Sequence, residues 1–162
     1  MKKFIALFAL MVITLASYAQ VYKMYNTRNY HTQLRLNTMT GEVQQIQDDG
    51  QSWIVCSARE ISGDKESRFR LYETQNMWTF ILLDSYNGRL WQVQYSAQDL
   101  DNLFCIPINK YELVSDNENC IFSIQPLTSM YQYYLINDRT GDMWKFQWST
   151  KGDDYRWIEK FK

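Results

Sequence analysis

The chain has 162 residues, a formal net charge of −1 and 22% charged side chains. With no basic patch and no acidic tail, this composition argues against nucleic acid as a partner. Aromatic residues reach 16%, among them six tryptophans and twelve tyrosines, which favours strands and contact surfaces.

The first nineteen residues have the pattern of a secretory signal peptide. Met1, Lys2 and Lys3 give a positive start, Phe4 to Ala16 an apolar run, and Ser17-Tyr18-Ala19 a small-x-small site for cleavage after Ala19. The run is shorter than the roughly 20 residues of a spanning helix, and no cysteine follows it to suggest a lipoprotein anchor. The expected product, residues 20–162, is a single domain exported to the periplasm or out of the cell.

Along that stretch the chain repeats itself. Segments Tyr22 to Asp48, Phe69 to Tyr95 and Phe122 to Trp148 align without gaps around Gly41, Gly88 and Gly141, with turn regions LNTMTGEVQQIQ, LDSYNGRLWQVQ and INDRTGDMWKFQ. Each reads as a β-hairpin. Asn37, Asp84 and Asn137 can bond the turn backbone, and the glycines supply the positive φ of a turn with a bulge.

A strand before each hairpin (Tyr22 to Asn26, Arg68 to Glu73, Ile121 to Gln125) and one after it (Ser52 to Cys56, Leu103 to Ile108, Arg156 to Phe161) complete the unit. The expectation is an all-β domain of three units, about residues 21–60, 67–112 and 120–162, each with about four antiparallel strands and no amphipathic helix.

Period-two alternation assigns faces. Tyr30, Thr32, Leu34 and Leu36, with Met77, Thr79, Ile81 and Leu83, and Met130, Gln132, Tyr134 and Ile136, are expected to form the core face of all three units. The opposite face is polar in the first unit (His31, Gln33, Arg35, then Gln44, Ile46, Asp48) and mostly apolar in the others, where Trp78, Phe80, Leu82, Trp91, Val93 and Tyr95 correspond to Tyr131, Tyr133, Leu135, Trp144, Phe146 and Trp148.

The repeated LDxxTGxxW hairpin, as in LLDSYNGRLWQVQ, resembles blades of WD-repeat and quinoprotein-type propellers. The three-unit layout resembles a β-trefoil. The count of units favours pseudo-threefold, trefoil-like closure, and the hairpin motif favours a small three-bladed, propeller-like arrangement. Trp91 and Trp144 stand three residues after the glycine rather than four as in the quinoprotein pattern, and Gln44 replaces tryptophan in the first unit. No cofactor follows from the likeness.

No zinc spacing, phosphate loop or GxSxG elbow occurs, so no catalytic, cofactor-binding or metal-binding residue is assigned. The sole histidine, His31, reads as a strand-surface side chain, and Asp84, Asp138 and Asp142 as turn acids. Two cysteine arrangements are open: a Cys105–Cys120 pair with Cys56 left over, or three buried thiols.

The expected function is non-catalytic binding of a glycan or an extracellular or periplasmic protein. Trp78, Trp91, Tyr95, Tyr131, Tyr133, Trp144 and Trp148 form the candidate platform, with packing between units as the alternative role of these rings. Gln47, Gln94 and Gln147 recur at one repeat position, where a structural hydrogen bond between units is expected. Action through the polar loops Asp99 to Asn102 and Lys110 to Asn119, as an inhibitor or assembly subunit, is the second reading. Hydrolysis by carboxylates converging from loops is the third.

Overall fold

The computed structural model describes residues 20–115 and 121–161. It contains three four-stranded antiparallel sheets, each a simple meander in chain order. Sheet 1 comprises β1 (Tyr22–Asn26), β2 (Thr32–Asn37), β3 (Val43–Gln47) and β4 (Ser52–Cys56). Sheet 2 comprises β5 (Phe69–Glu73), β6 (Thr79–Asp84), β7 (Leu90–Gln94) and β8 (Phe104–Pro107). Sheet 3 comprises β9 (Phe122–Pro126), β10 (Gln132–Asn137), β11 (Met143–Gln147) and β12 (Trp157–Lys160). Pro107 and Pro126 end the edge strands β8 and β9, where a missing N–H donor is tolerated.

The central turns form as their residues dictate. Asn37 Oδ1 accepts the N–H groups of Met39 and Thr40, Asp84 Oδ1 accepts that of Tyr86, and Asn137 Oδ1 accepts those of Arg139 and Thr140. Gly41, Gly88 and Gly141 then adopt φ of 78°, 76° and 75° and donate back to Asn37, Asp84 and Asn137 carbonyls. One helical turn, α1 (Ala58–Ile61), falls in the connection after sheet 1 and buries Ile61.

The core lies between sheets. One cluster joins Leu34, Leu36, Val43 and Val55 of sheet 1 to Phe80, Leu82, Trp91, Val93 and Tyr95 of unit 2. The other joins Ile81, Leu83 and Leu90 of sheet 2 to Tyr133, Leu135, Trp144, Phe146 and Trp148 of unit 3. Sheet 2 is therefore the middle layer, which explains why every residue of β6 is buried. A strand buried on both faces reads as a continuous apolar run.

The outer layers bury one face each, and not the same one. At aligned repeat positions, β2 alternates from a buried Thr32 while β10 alternates in opposite phase, burying Tyr133 and Leu135. This corrects the expected common core face. In unit 3, Met130, Gln132, Tyr134 and Ile136 are only half-buried, and Tyr30 and Met77 are exposed. Sheet 3 must turn the other way because its partner, sheet 2, lies on its other side.

Cys56 is bonded to Cys105, with Cα atoms 5.1 Å apart, linking β4 of sheet 1 to β8 of sheet 2. The pairing of Cys105 with Cys120 is thereby corrected: proximity along the chain misleads where two stacked sheets bring their fourth strands together. Cys120 lies outside the described residues.

Candidate functional site

Each unit carries a surface cleft at the same repeat positions, where the loop entering the second strand meets the loop leaving the third. In unit 1 it is lined by His31, Gln47 and Asp48 among others; in unit 2 by Trp78, Gln94 and Tyr95; in unit 3 by Tyr131, Gln147 and Trp148. The unit 2 cleft is the largest of the three, at about 470 Å³.

The backbone that shapes these clefts repeats faithfully. The N–H of the first lining residue is capped locally: His31 by Asn29 Oδ1, Trp78 by Asn76 Oδ1, and Tyr131 by Ser129 Oγ. Its carbonyl accepts across the cleft from the N–H of Asp48, Tyr95 or Trp148, respectively, at 3.0–3.1 Å. What differs is the side-chain pair set on this frame. Unit 1 places the His31 ring against the Asp48 carboxylate. Unit 2 tilts Trp78 against Tyr95 at 5.3 Å between centroids, and unit 3 tilts Tyr131 against Trp148 at 4.9 Å.

The second aromatic of each pair is structural. Tyr95 is 1% exposed and its phenol donates to the Met77 carbonyl at 2.5 Å; Trp148 is fully buried and its indole Nε1 donates to the Met130 carbonyl at 3.0 Å. Burial pushes the Tyr95 and Tyr133 phenols above their ordinary pKa, since the phenolate loses more hydration than the phenol.

Of the seven aromatics expected to form a platform, Trp91, Tyr95, Tyr133, Trp144 and Trp148 are buried in the cores between sheets. They cannot form an exposed surface, because both faces of sheet 2 and one face of sheet 3 are covered. Trp78 and Tyr131 remain accessible, Trp78 half-buried and Tyr131 at 36% exposure.

The recurring glutamines divide. Gln47 and Gln147 bond their cross-strand partners within a unit: Gln47 Oε1 accepts from Thr32, and Gln147 Oε1 accepts from Gln132 Nε2 at 2.8 Å. These bonds lie within sheets, not between units. Gln147 also donates to the Tyr155 carbonyl. The Gln94 side chain has no protein hydrogen bond among the described residues, and it lines the unit 2 cleft together with Asn29, Asp99 and Asn102.

The glutamine bonds between units come instead from Gln45 and Gln92, which sequence reasoning passed over although they occupy one repeat position. Gln45 Nε2 donates to the Ser96 carbonyl at 2.7 Å while its Oε1 accepts the Ser96 N–H at 3.0 Å. Gln92 Oε1 accepts the N–H of Ser149, the repeat equivalent of Ser96, at 3.2 Å.

The loop Asp99 to Asn102 forms one wall of the unit 2 cleft, held by Asn102 Nδ2 donating to Asp99 Oδ2 at 2.6 Å. The second polar loop sends Leu113 and Val114 against the core between sheets 2 and 3, and its last residues lie outside those described. The turn acids keep to turn and packing chemistry. Asp84 is buried against Arg68 at 2.7 Å, Asp138 accepts from Ser123, and Asp142 meets Lys160 and Thr140, whose hydrogen bonds hold its carboxyl below the usual range.

No two carboxylates line any of the three clefts. Among the described residues no group of three or more His, Cys, Asp or Glu side chains gathers to hold a metal ion, and no helix is long and apolar enough to cross a membrane. No family model matches the chain, and neither does any curated protein or solved structure.

Proposed function

We propose that this chain is an exported glycan-binding module whose ligand seat is the unit 2 cleft. The observation that carries this reading is the half-buried Trp78 indole beside Gln94, an amide without a protein partner among the described residues, in a cleft that Asn29, Ser96, Asp99 and Asn102 also line. A flat indole accepts the C–H face of a sugar ring, while amide and carboxylate groups bond its hydroxyls. Asp99 and Asn102 are already tied to one another, so little side-chain freedom is lost on binding.

The architecture that presents this seat is, on our reading, a stack of three propeller-like blades rather than a trefoil. Each sheet is a complete meander and the cores lie between sheets, as between consecutive blades.

The test is a glycan array followed by calorimetry on the chain from Gln20 onward. Trp78→Ala and Gln94→Ala should each weaken binding about tenfold or more, with unchanged circular dichroism. A chain that binds no glycan, or binds equally well without the Trp78 indole, overturns the proposal.

A further inference from the structure

The two junctions between sheets are built from the same parts. At the first, Phe69 and Ile61 close over the turn of Gly41, where a Cβ would lie 3.0 Å and 2.3 Å from their side chains; at the second, Phe122 and Leu113 close over Gly88 at 3.2 Å and 3.0 Å. The backbone repeats too: the Phe69 N–H donates to the Thr38 carbonyl at 2.9 Å, and the Phe122 N–H to that of Ser85 at 2.8 Å. The third part is the glutamine that reaches the next unit's main chain, Gln45 to Ser96 and Gln92 to Ser149.

Sheet 3 carries the receiving half of this junction on its outer face, uncovered by any described residue. No atom of the described residues lies within 4 Å of a Cβ position at Gly141. Around it lie the half-buried Tyr134, Ile136 and Met143, the repeat counterparts of the buried core residues Ile81, Leu83 and Leu90. Sheet 1 carries the edge of the inserting half, uncovered by any described residue, while Gln33, Arg35 and Gln44 stand on this face where sheet 2 inserts Phe80, Leu82 and Trp91. Tyr22, at the repeat position of Phe69 and Phe122, is 52% exposed, Met24 on the same edge strand is 46% exposed, and Ile54 on the opposite edge strand β4 is 59% exposed.

The glutamine position changes in a matched way at these two ends. Where sheets 1 and 2 have Gln45 and Gln92, sheet 3 has Lys145; where units 2 and 3 have Ser96 and Ser149, unit 1 has the exposed Asp49. An amide-to-backbone bond is thus replaced by a cation on one end and a carboxylate on the other.

We propose that the outer face of sheet 3 docks the outer face of sheet 1 of a second copy of this chain, with Tyr22 seated over the Gly141 turn and Lys145 paired with Asp49. The contact is heterologous, so it closes into a ring if the rotation permits and extends as a filament if not. A ring of two copies holds six sheets, within the four to eight of blade-built rings.

The test is sedimentation velocity and native mass spectrometry on the oxidised chain from Gln20 onward, over concentrations up to about 100 μM. Self-association is expected, weakened about tenfold or more by Lys145→Asp or by Asp49→Lys alone, and restored in the double variant, where the charges are exchanged. Lys145 lies on the outer face of sheet 3 and Asp49 in the exposed turn after β3, and circular dichroism verifies the fold of each variant. A chain that stays monomeric throughout overturns the proposal, as does association indifferent to both single substitutions or not recovered in the double one.

Discussion

Gln45 grips the main chain of Ser96 from both sides, donating to its carbonyl and accepting its N–H across the junction between sheets 1 and 2. Gln45 is fully buried, so Gln45→Ala leaves two main-chain groups without their partner. The expected loss is about 1–3 kcal/mol, read as a lower urea midpoint. Gln92→Ala, which removes a single bond to Ser149, should cost less.

The Cys56–Cys105 bridge closes a sequence separation of 49 residues across the same junction. In the chain-entropy account a loop of this size contributes about 4 kcal/mol. Non-reducing peptide mapping should recover Cys56 and Cys105 in one linked pair. The Cys56→Ser, Cys105→Ser double variant should unfold at a distinctly lower temperature than the oxidised parent.

Three turn glycines share one backbone conformation but not one environment. Gly141→Ala should cost only the left-handed strain, about 1–2 kcal/mol, because its Cβ meets nothing within 4 Å among the described residues. Gly41→Ala adds a collision with Ile61 and Phe69 in a packed junction, worth about 1–3 kcal/mol more. Equal losses for the two variants in monomeric chain would refute this assignment of closed and open turns.

Tyr95 and Tyr133 hold their protons more tightly in the folded chain than in the unfolded one, because burial disfavours the phenolate. A group with a raised folded pKa contributes its stability fully below the unfolded value of about 10 and loses it as pH climbs through the folded value. Tyrosinate absorbance should therefore show late-titrating phenols, with stability falling above about pH 10. Tyr133→Phe, which removes one of these two buried phenols, should flatten that fall.

Strands and turns were legible because their signals are local. Asn37, Asp84 and Asn137 cap turns through atoms two or three residues away, and the alternation of β2 and the apolar run of β6 mark strands wherever they lie. The glutamine clamp also left a trace, since aligning the repeats puts Gln45 beside Gln92. Its meaning was hidden because the partner lies 51 residues further on.

The sequence by itself determined three hairpin-centred units, their turn chemistry and the polar Gln33, Arg35 and Gln44 on the hairpin of the first. The order of layers was decided only in the tertiary structure. Whether Tyr133 or Tyr134 is core depends on which side of sheet 3 meets sheet 2, and period-two alternation is blind to that choice when both faces carry apolar side chains. The same fact placed Trp91 and Trp144 in the cores and left Trp78 at a cleft: a ring buries itself where a neighbouring sheet covers it, and stays accessible where the sheet ends.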